Sequence, residues 1–220
     1  MKINIAIDGP SAAGKSTIAK ALAKKLDYVH LDTGAMYRCI AYKSVMQGLD
    51  LEDEEKIIEM MKDTVIEMKP DGSIFLDGNK VGNEIRTNEM SMASSKVSML
   101  KGVRAELVAL QQKIAENKGI IMDGRDIGTV VLPDAEVKIF LTASAEARAM
   151  RRHLEHQEKG IPSDLNALIE EINQRDYQDT HRANSPLRQA EDAIRVDSSD
   201  LTIDEEIDMI YQIVLRKLQG

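Results

Sequence analysis

Tryptophan is absent from this 220-residue sequence, and tyrosine and phenylalanine bring aromatic content to only 3%. Flat stacking platforms are therefore few, so any nucleobase bound here must be held mainly by polar groups. The single cysteine, Cys39, excludes an internal disulfide and fits a reducing compartment. It falls within a helical apolar pattern and reads as a small buried hydrophobe. No apolar run approaches the ~20 residues of a membrane span, and the N-terminus enters a buried strand at once without a secretory leader. A cytoplasmic chain with no membrane attachment is expected. Positive charge is in deficit: 29 Lys and Arg stand against 37 Asp and Glu, a net charge of −8. That balance argues against a nucleic-acid polymer or an anionic membrane as the main partner, and it makes the basic residues that are present local and purposeful. No internal repeat or low-complexity tract occurs.

What is present begins at Lys2 to Lys24, KINIAIDGPSAAGKSTIAKALAK. Ile3 to Ile7 is apolar and β-branched, as in a buried strand. The run Gly9-Pro10-Ser11-Ala12-Ala13-Gly14-Lys15-Ser16-Thr17 then matches G-x-x-x-x-G-K-[ST] and opens an Ala/Lys/Leu-rich helix. A strand, a phosphate loop and a helix follow one another. The glycines let successive N–H groups converge on an anion, and the helix N-terminus adds roughly half a unit of positive charge. A glycine turn that starts a helix by accident is the alternative; the strand before, the helix after and Lys15-Ser16 in register weigh against it. Lys15 is expected on the β- and γ-phosphates of a nucleotide and the Ser16 hydroxyl on Mg²⁺.

The rest of the pattern alternates. A strand at Tyr28 to Leu31 leads through Asp32-Thr33-Gly34 into a helix carrying Met36, Ile40 and Val45, and a second helix spans about Glu54 to Lys62. Short extended pieces follow at Val65 to Lys69, Ser73 to Leu76 and Lys80 to Val81, separated by the turn signals Pro70-Asp71-Gly72 and Asp77-Gly78-Asn79. Thr87 to about Asn117 reads as helix broken near Gly102. The crossover from Thr33 to Lys118 is longer than one helix requires, so residues 63–100 read as an inserted antiparallel unit in a core made of 1–62 and 101–220. Strands at Gly119 to Asp123, Val137 to Leu141 and Ile194 to Asp197 alternate with helices at Ala145 to Glu158, Leu165 to about Arg182 and Ile203 to Leu218. The expected fold is α/β: five parallel strands covered by helices, with ligands at the carboxyl ends of the strands. Asp8, Asp32 and Asp123 should meet that edge.

Asp123 ends the strand expected beside the phosphate loop, where it would orient Mg²⁺ directly or through water; a turn carboxylate capping a loop is the plainer alternative. Arg38, Arg104 and Arg125 lie near the same edge, and planar guanidinium groups suit phosphate oxygens because they bind in pairs of hydrogen bonds and keep their charge. Arg175, Asp179 and Arg182, spaced i, i+4, i+7, share one helical face. Such a stripe is more often solvated, worth about 0.3–0.5 kcal/mol per pair. Arg148, Arg151 and Arg152 form a second cluster, open to the same plain reading. Two arginine-bearing helices flanking the Gly160-Ile161-Pro162 break would also make a mobile cover over a polyphosphate, a lid at about 148–160. His153 and His156 are spaced to share a metal, but no third ligand is near in sequence.

The phosphate loop, Asp32-Thr-Gly-Ala-Met-Tyr-Arg38, Asp123-Gly-Arg-Asp-Ile-Gly-Thr129 and Arg175-Asp-Tyr-Gln-Asp-Thr-His-Arg182, in this order, closely resemble bacterial cytidylate kinases of the nucleoside monophosphate kinase superfamily. The likeness covers essentially the whole chain. The phosphate loop is shared by many enzymes, whereas Asp123 to Val131 and the Ser185-Pro186-Leu187 after Arg182 are specific to this family. The resemblance implies a P-loop NTPase three-layer fold with 63–100 as the monophosphate-binding unit, and transfer of the ATP γ-phosphoryl to CMP or dCMP with Mg²⁺. By motif position, Lys15, Arg38, Arg125 and Arg182 would serve catalysis, and Thr33 would join the three arginines at the monophosphate. Arg175 and Asp179 would contact the sugar, and Ser95, Arg104 and Asp126 would read cytosine. Thr33 and Ser16 stand where other members can carry Ser and Gly. A monomer is expected. Two other readings use the same core: a kinase of a small acid such as shikimate, which would need neither the insert nor Asp126, and a nucleotide switch. A GTPase switch usually carries Asn-Lys-x-Asp, whereas Asn79-Lys80-Val81-Gly82 ends in glycine.

Overall fold

The computed structural model describes residues 2–69 and 71–219. The chain runs β1 (Ile5–Asp8), α1 (Lys15–Leu26), β2 (Val29–Asp32), α2 (Thr33–Met46), α3 (Glu54–Lys62), β3 (Ile66–Met68), β4 (Ile74–Leu76), β5 (Asn79–Val81), a 3-10 turn at Asn83–Arg86, α4 (Asn88–Val97) and α5 (Lys101–Ala115). It continues through β6 (Ile120–Gly124), a π-turn at Ile127–Val131, β7 (Val137–Thr142), α6 (Ala145–Glu158), α7 (Leu165–His181), β8 (Ile194–Asp197) and α8 (Ile203–Gln219). Five strands form one sheet in the order β2-β6-β1-β7-β8, and β3-β4-β5 form another. Two compact units are distinguished: Met1–Tyr28 with Lys118–Gly220, and Val29–Asn117. Among the described residues no helix is long and apolar enough to cross a membrane.

In the first unit β1 runs parallel to β6 and β7, and β7 to β8. Every residue of β1 is buried, which is why Ile5, Ala6 and Ile7 show no polar alternation: helices cover both faces. Ile5, Ile7, Ile121, Ile139 and Leu141 of the sheet pack with Ile18 and Leu22 of α1 and with Ile207, Ile210 and Val214 of α8. Full burial of such side chains stabilises by about 1.5–3 kcal/mol each. In a separate cluster, Ala149 of α6 packs with Leu168 and Ile172 of α7. Asp8 stands opposite Gly124 in the β1–β6 register, so both strands end at one level and release their loops together.

The second unit is built on a different period. Ile74 and Leu76 of β4 are buried and Phe75 between them is not, the alternation of a sheet with one covered face. Pairing is antiparallel, Ile66 opposite Leu76 and Ile74 opposite Val81, and these side chains pack with Ala35 and Cys39 of α2 and with Ile85. Asp77 and Gly78 both have positive φ, 50° and 78°, which matches the twist of a tight hairpin between β4 and β5. Of the other turn signal, Asp71 and Gly72 join β3 to β4, and Pro70 lies outside the described residues. The segment 63–100 falls wholly within this unit.

The break expected near Gly102 is present, a few residues earlier in the chain. The long helix breaks at Ser98 to Leu100, and Gly102 lies inside the first turn of α5. Its role is close packing: the Gly102 amide donates to the Glu54 carboxylate, and a Cβ there would overlap the Ile58 Cδ1 of α3. A glycine that admits a neighbouring helix looks, in sequence, like one that ends its own.

Candidate active site

Gly9 leaves the sheet at φ +152°, where a Cβ would overlap the Leu141 carbonyl of β7, so glycine is required for the loop to pass. Ala12 and Gly14 also hold positive φ, 59° and 91°, and no side chain caps the first turn of α1. Amides turned this way form an anion-binding concavity. Inside it the buried Lys15 Nζ donates to the Pro10 carbonyl at 2.7 Å. Burial pushes the Lys15 ammonium down to about 7, helped by the Arg125 guanidinium and opposed by Asp123, Asp179 and Asp8. A polyphosphate is a stronger partner for that ammonium than one carbonyl, because a charge-assisted bond replaces a neutral acceptor. Beside it the Ser16 Oγ donates to Asp123 Oδ2 at 2.6 Å. The β1–β6 register, Ile7 opposite Asp123, brings this pair together.

Beyond β6, Arg125 Nε donates to Asp179 Oδ2 of α7 at 2.6 Å. Burial would raise the Asp179 carboxyl, but Arg125, with Arg175 and Arg182, holds it below the usual carboxylate range. Asp126 is buried, and Arg182 Nη2 stands 3.9 Å from its Oδ1 while Arg182 Nε donates to the Ser185 carbonyl at 2.6 Å. Arg125, Asp126, Asp179 and Arg182 are thus gathered, and the i, i+4, i+7 stripe of α7 is not a solvated face: Asp179 is 9% exposed. Arg175 is half-buried on the same helix.

The three α6 arginines fare differently from one another. Arg148 is buried, donates in bidentate fashion to Asp176 at 3.1 and 2.6 Å, and reaches the Ser11 carbonyl of the phosphate loop at 3.1 Å. Arg151 donates to the Ser198 and Leu201 carbonyls and to Glu206 Oε1 at 2.9 Å. Burial raises the Glu206 carboxyl despite that cation. Arg152 pairs with Glu171 at 2.8 Å near solvent. His153 hydrogen-bonds Ser163 Oγ and Gln157, and among the described residues no group of three or more His, Cys, Asp or Glu is placed to hold a metal.

In the second unit, Asp32 ends β2 and caps α2, accepting from the Ala35 amide at 2.9 Å through one oxygen and from Arg38 Nη2 at 3.0 Å through the other. Thr33 is the buried first residue of α2. Arg104, buried on α5, lies 5.7 Å from the Tyr37 ring centroid and 3.4 Å from the Ser98 carbonyl. Ser98 Oγ in turn donates to the carbonyl of Ser95, at the end of α4.

The family model described as cytidylate kinase matches residues 5–216. The chain belongs to the cytidylate kinase family. It is 50% identical to the cytidylate kinase of Anoxybacillus flavithermus over 100% of this chain and 99% of that one. It is 54% identical to the cytidylate kinase of Caldicellulosiruptor saccharolyticus over 96% and 95%. A solved shikimate kinase from Bacteroides thetaiotaomicron aligns over 100% of both chains with a TM-score of 0.51 at 13% identity, a likeness of fold alone. In this cytidylate kinase family member three carboxylates matter more than their sequence context indicates. Asp176 fixes Arg148, Glu206 fixes Arg151, and Asp8 accepts from the Ile127 and Gly128 amides at 2.7 Å each. The one sequence signal is Glu206 itself, a carboxylate abutting the apolar stripe Ile207, Ile210, Val214.

Proposed function

We propose that the protein transfers the γ-phosphoryl group of ATP to CMP or dCMP, giving ADP and CDP or dCDP. Family membership over nearly the whole chain supports this, and the phosphate loop with its buried Lys15 supplies the donor half. The acceptor half is carried by one observation: Asp126, buried and 3.9 Å from Arg182, follows the strand beside β1. A carboxylate there accepts from the exocyclic amine of cytosine; by motif position Ser95 and Arg104 are also assigned to reading the base. Uracil offers no such donor and would leave the carboxylate unpaired. Thr33, Arg38, Arg125 and Arg182 hold the acceptor monophosphate, and Arg175 and Asp179 take the sugar.

Lys15 and the arginines keep the two phosphate groups in line and spread the charge of the transferring group. The P–O bond to ADP breaks as an acceptor phosphate oxygen bonds to the same phosphorus. That oxygen is already an anion at neutral pH, so no general base is required. Ser16 and Asp123 are both hard oxygen donors and their side chains converge, which fits Mg²⁺ held directly or through water. When bound, the ion neutralises donor phosphate charge. Residues 63–100 form the monophosphate-binding unit, and Arg148, Arg151 and Arg152 belong to a lid at about 148–160 that excludes water. The protein acts as a cytoplasmic monomer, with no membrane or nucleic-acid polymer as partner.

The test is a coupled assay of ADP formation with CMP, dCMP, UMP and AMP as acceptors. CMP and dCMP should be preferred, and equal or better turnover of UMP or AMP would reject the assignment of the base.

A further inference from the structure

Asp8 is the last residue of β1, one position before the phosphate loop. Both carboxylate oxygens are committed to the next loop over: Oδ1 accepts from the Ile127 amide and Oδ2 from the Gly128 amide, each at 2.7 Å. These are the two amides immediately after Asp126. The turn they open closes on Asp126 from the other side as well, since the Val130 and Val131 amides donate to the Asp126 carbonyl at 2.9 and 3.2 Å. Asp126 itself has φ −146° and ψ 25°, outside regular helix or strand, so its direction is set by these bonds and not by secondary structure.

We infer that Asp8 is a positioning residue for acceptor selection: without touching a nucleotide, it fixes the turn that aims the Asp126 carboxylate, and so sets the preference for cytosine over uracil. This rests on the assignment of Asp126 to the base. An uncharged side chain at position 8 would be cheaper to bury, since an ionised carboxylate loses its hydration there. Burial pushes the Asp8 carboxyl up to about 6, the two amide bonds pull it down, and the charge of Asp126 raises it again. The cost is maintained where two converging amides need two acceptors on one group, which only a carboxylate offers at this length. Space is equally tight: a Cβ on Gly128 would stand 3.4 Å from Asp8 Oδ2 and 3.2 Å from Lys138 Cδ, so the turn sits directly on the carboxylate.

The experiment compares kcat/KM for CMP and UMP at saturating MgATP in the wild type, Asp8→Asn, Gly128→Ala and Asp126→Ala, with melting temperatures alongside. Asp8→Asn keeps one acceptor and turns a donor on the other amide. The ratio of CMP to UMP should fall about tenfold, as for one lost charge-assisted bond, mainly through a higher KM for CMP. Gly128→Ala, which presses on the same carboxylate, should shift the ratio the same way by less. A purely structural Asp8 would lower the melting temperature and slow all acceptors alike, leaving the ratio in place; that result overturns the inference. If Asp8→Asn does not fold, an unchanged ratio in Gly128→Ala overturns it. A collapse of the ratio in Asp126→Ala with no change in either other variant rejects the role of Asp8 alone. An unchanged ratio in Asp126→Ala rejects the base assignment and the inference with it.

Discussion

The two compact units differ in how much of their charge they bury. In the first, beside exposed pairs such as Lys25–Asp208 and Lys159–Glu155, a set of ionic groups is taken out of water and bound to one another: Lys15 sits among Asp8, Asp123 and Asp179, Arg125 holds Asp179, and Arg148 holds Asp176. In the second, much of the charge stays in solvent as pairs such as Lys56–Asp53, Lys62–Glu59 and Lys69–Glu67. Exposed pairs of that kind are worth ~0–1 kcal/mol and fix little. Buried ones cost desolvation, and their return is geometry held before the substrate arrives. The contrast follows the chemistry. Phosphoryl transfer needs positive charge aimed in advance, whereas the second unit is organised by apolar packing of short strands on α2, with Asp32, Arg38 and Arg104 as ionic groups drawn inside it.

The largest test of this contrast removes the buried charge of the first unit. Lys15→Met should lower kcat by ~10²–10³, the loss seen when one preorganised electrostatic group is deleted. Its melting temperature should hold or rise, because an ammonium driven down to about 7 by burial is no longer desolvated. A loss below tenfold would mean that the buried network does not serve the reaction.

A middle-sized effect should come from packing in the second unit. Gly102→Ala forces a methyl against Ile58 and Glu54 and should cost about 1–3 kcal/mol in chemical denaturation. Affinity for a non-hydrolysable ATP analogue should not change. Weakened ATP binding with unchanged stability would reverse the division of labour between the units.

The smallest expected signal concerns Cys39 on α2. Burial pushes its thiol up to about 12, so almost none is thiolate at pH 8 and a thiol reagent should modify it only when the protein unfolds. Fast labelling of the native protein at pH 8 would show that the second unit opens far more readily than its packed interior implies.

The features legible in the sequence are those that reside in neighbouring residues. Gly9 to Thr17 declares itself because a phosphate loop is a local backbone path, and Asp77-Gly78 because a tight turn needs two adjacent residues with positive φ. The α2 helix begins where Asp32 can cap it, three residues before the Ala35 amide. By contrast, nothing near Gly102 distinguishes a helix breaker from a packing notch, since that depends on Ile58 across the unit. The stripe Arg175, Asp179, Arg182 has the spacing of a solvated face; burial of Asp179 by Arg125, 54 residues away in sequence, makes it something else.

By its order of residues alone, this chain determined its α/β alternation, its nucleotide loop and the family to which it belongs, because each of these is written in short-range spacing. Which charges meet was decided only by tertiary structure. The partners of Arg148, Arg151 and Asp8 lie 28, 55 and 119 residues away; the first two meet only once α6 lies beside α7 and α8, the third only once parallel β1 and β6 bring their loops to one edge of the sheet.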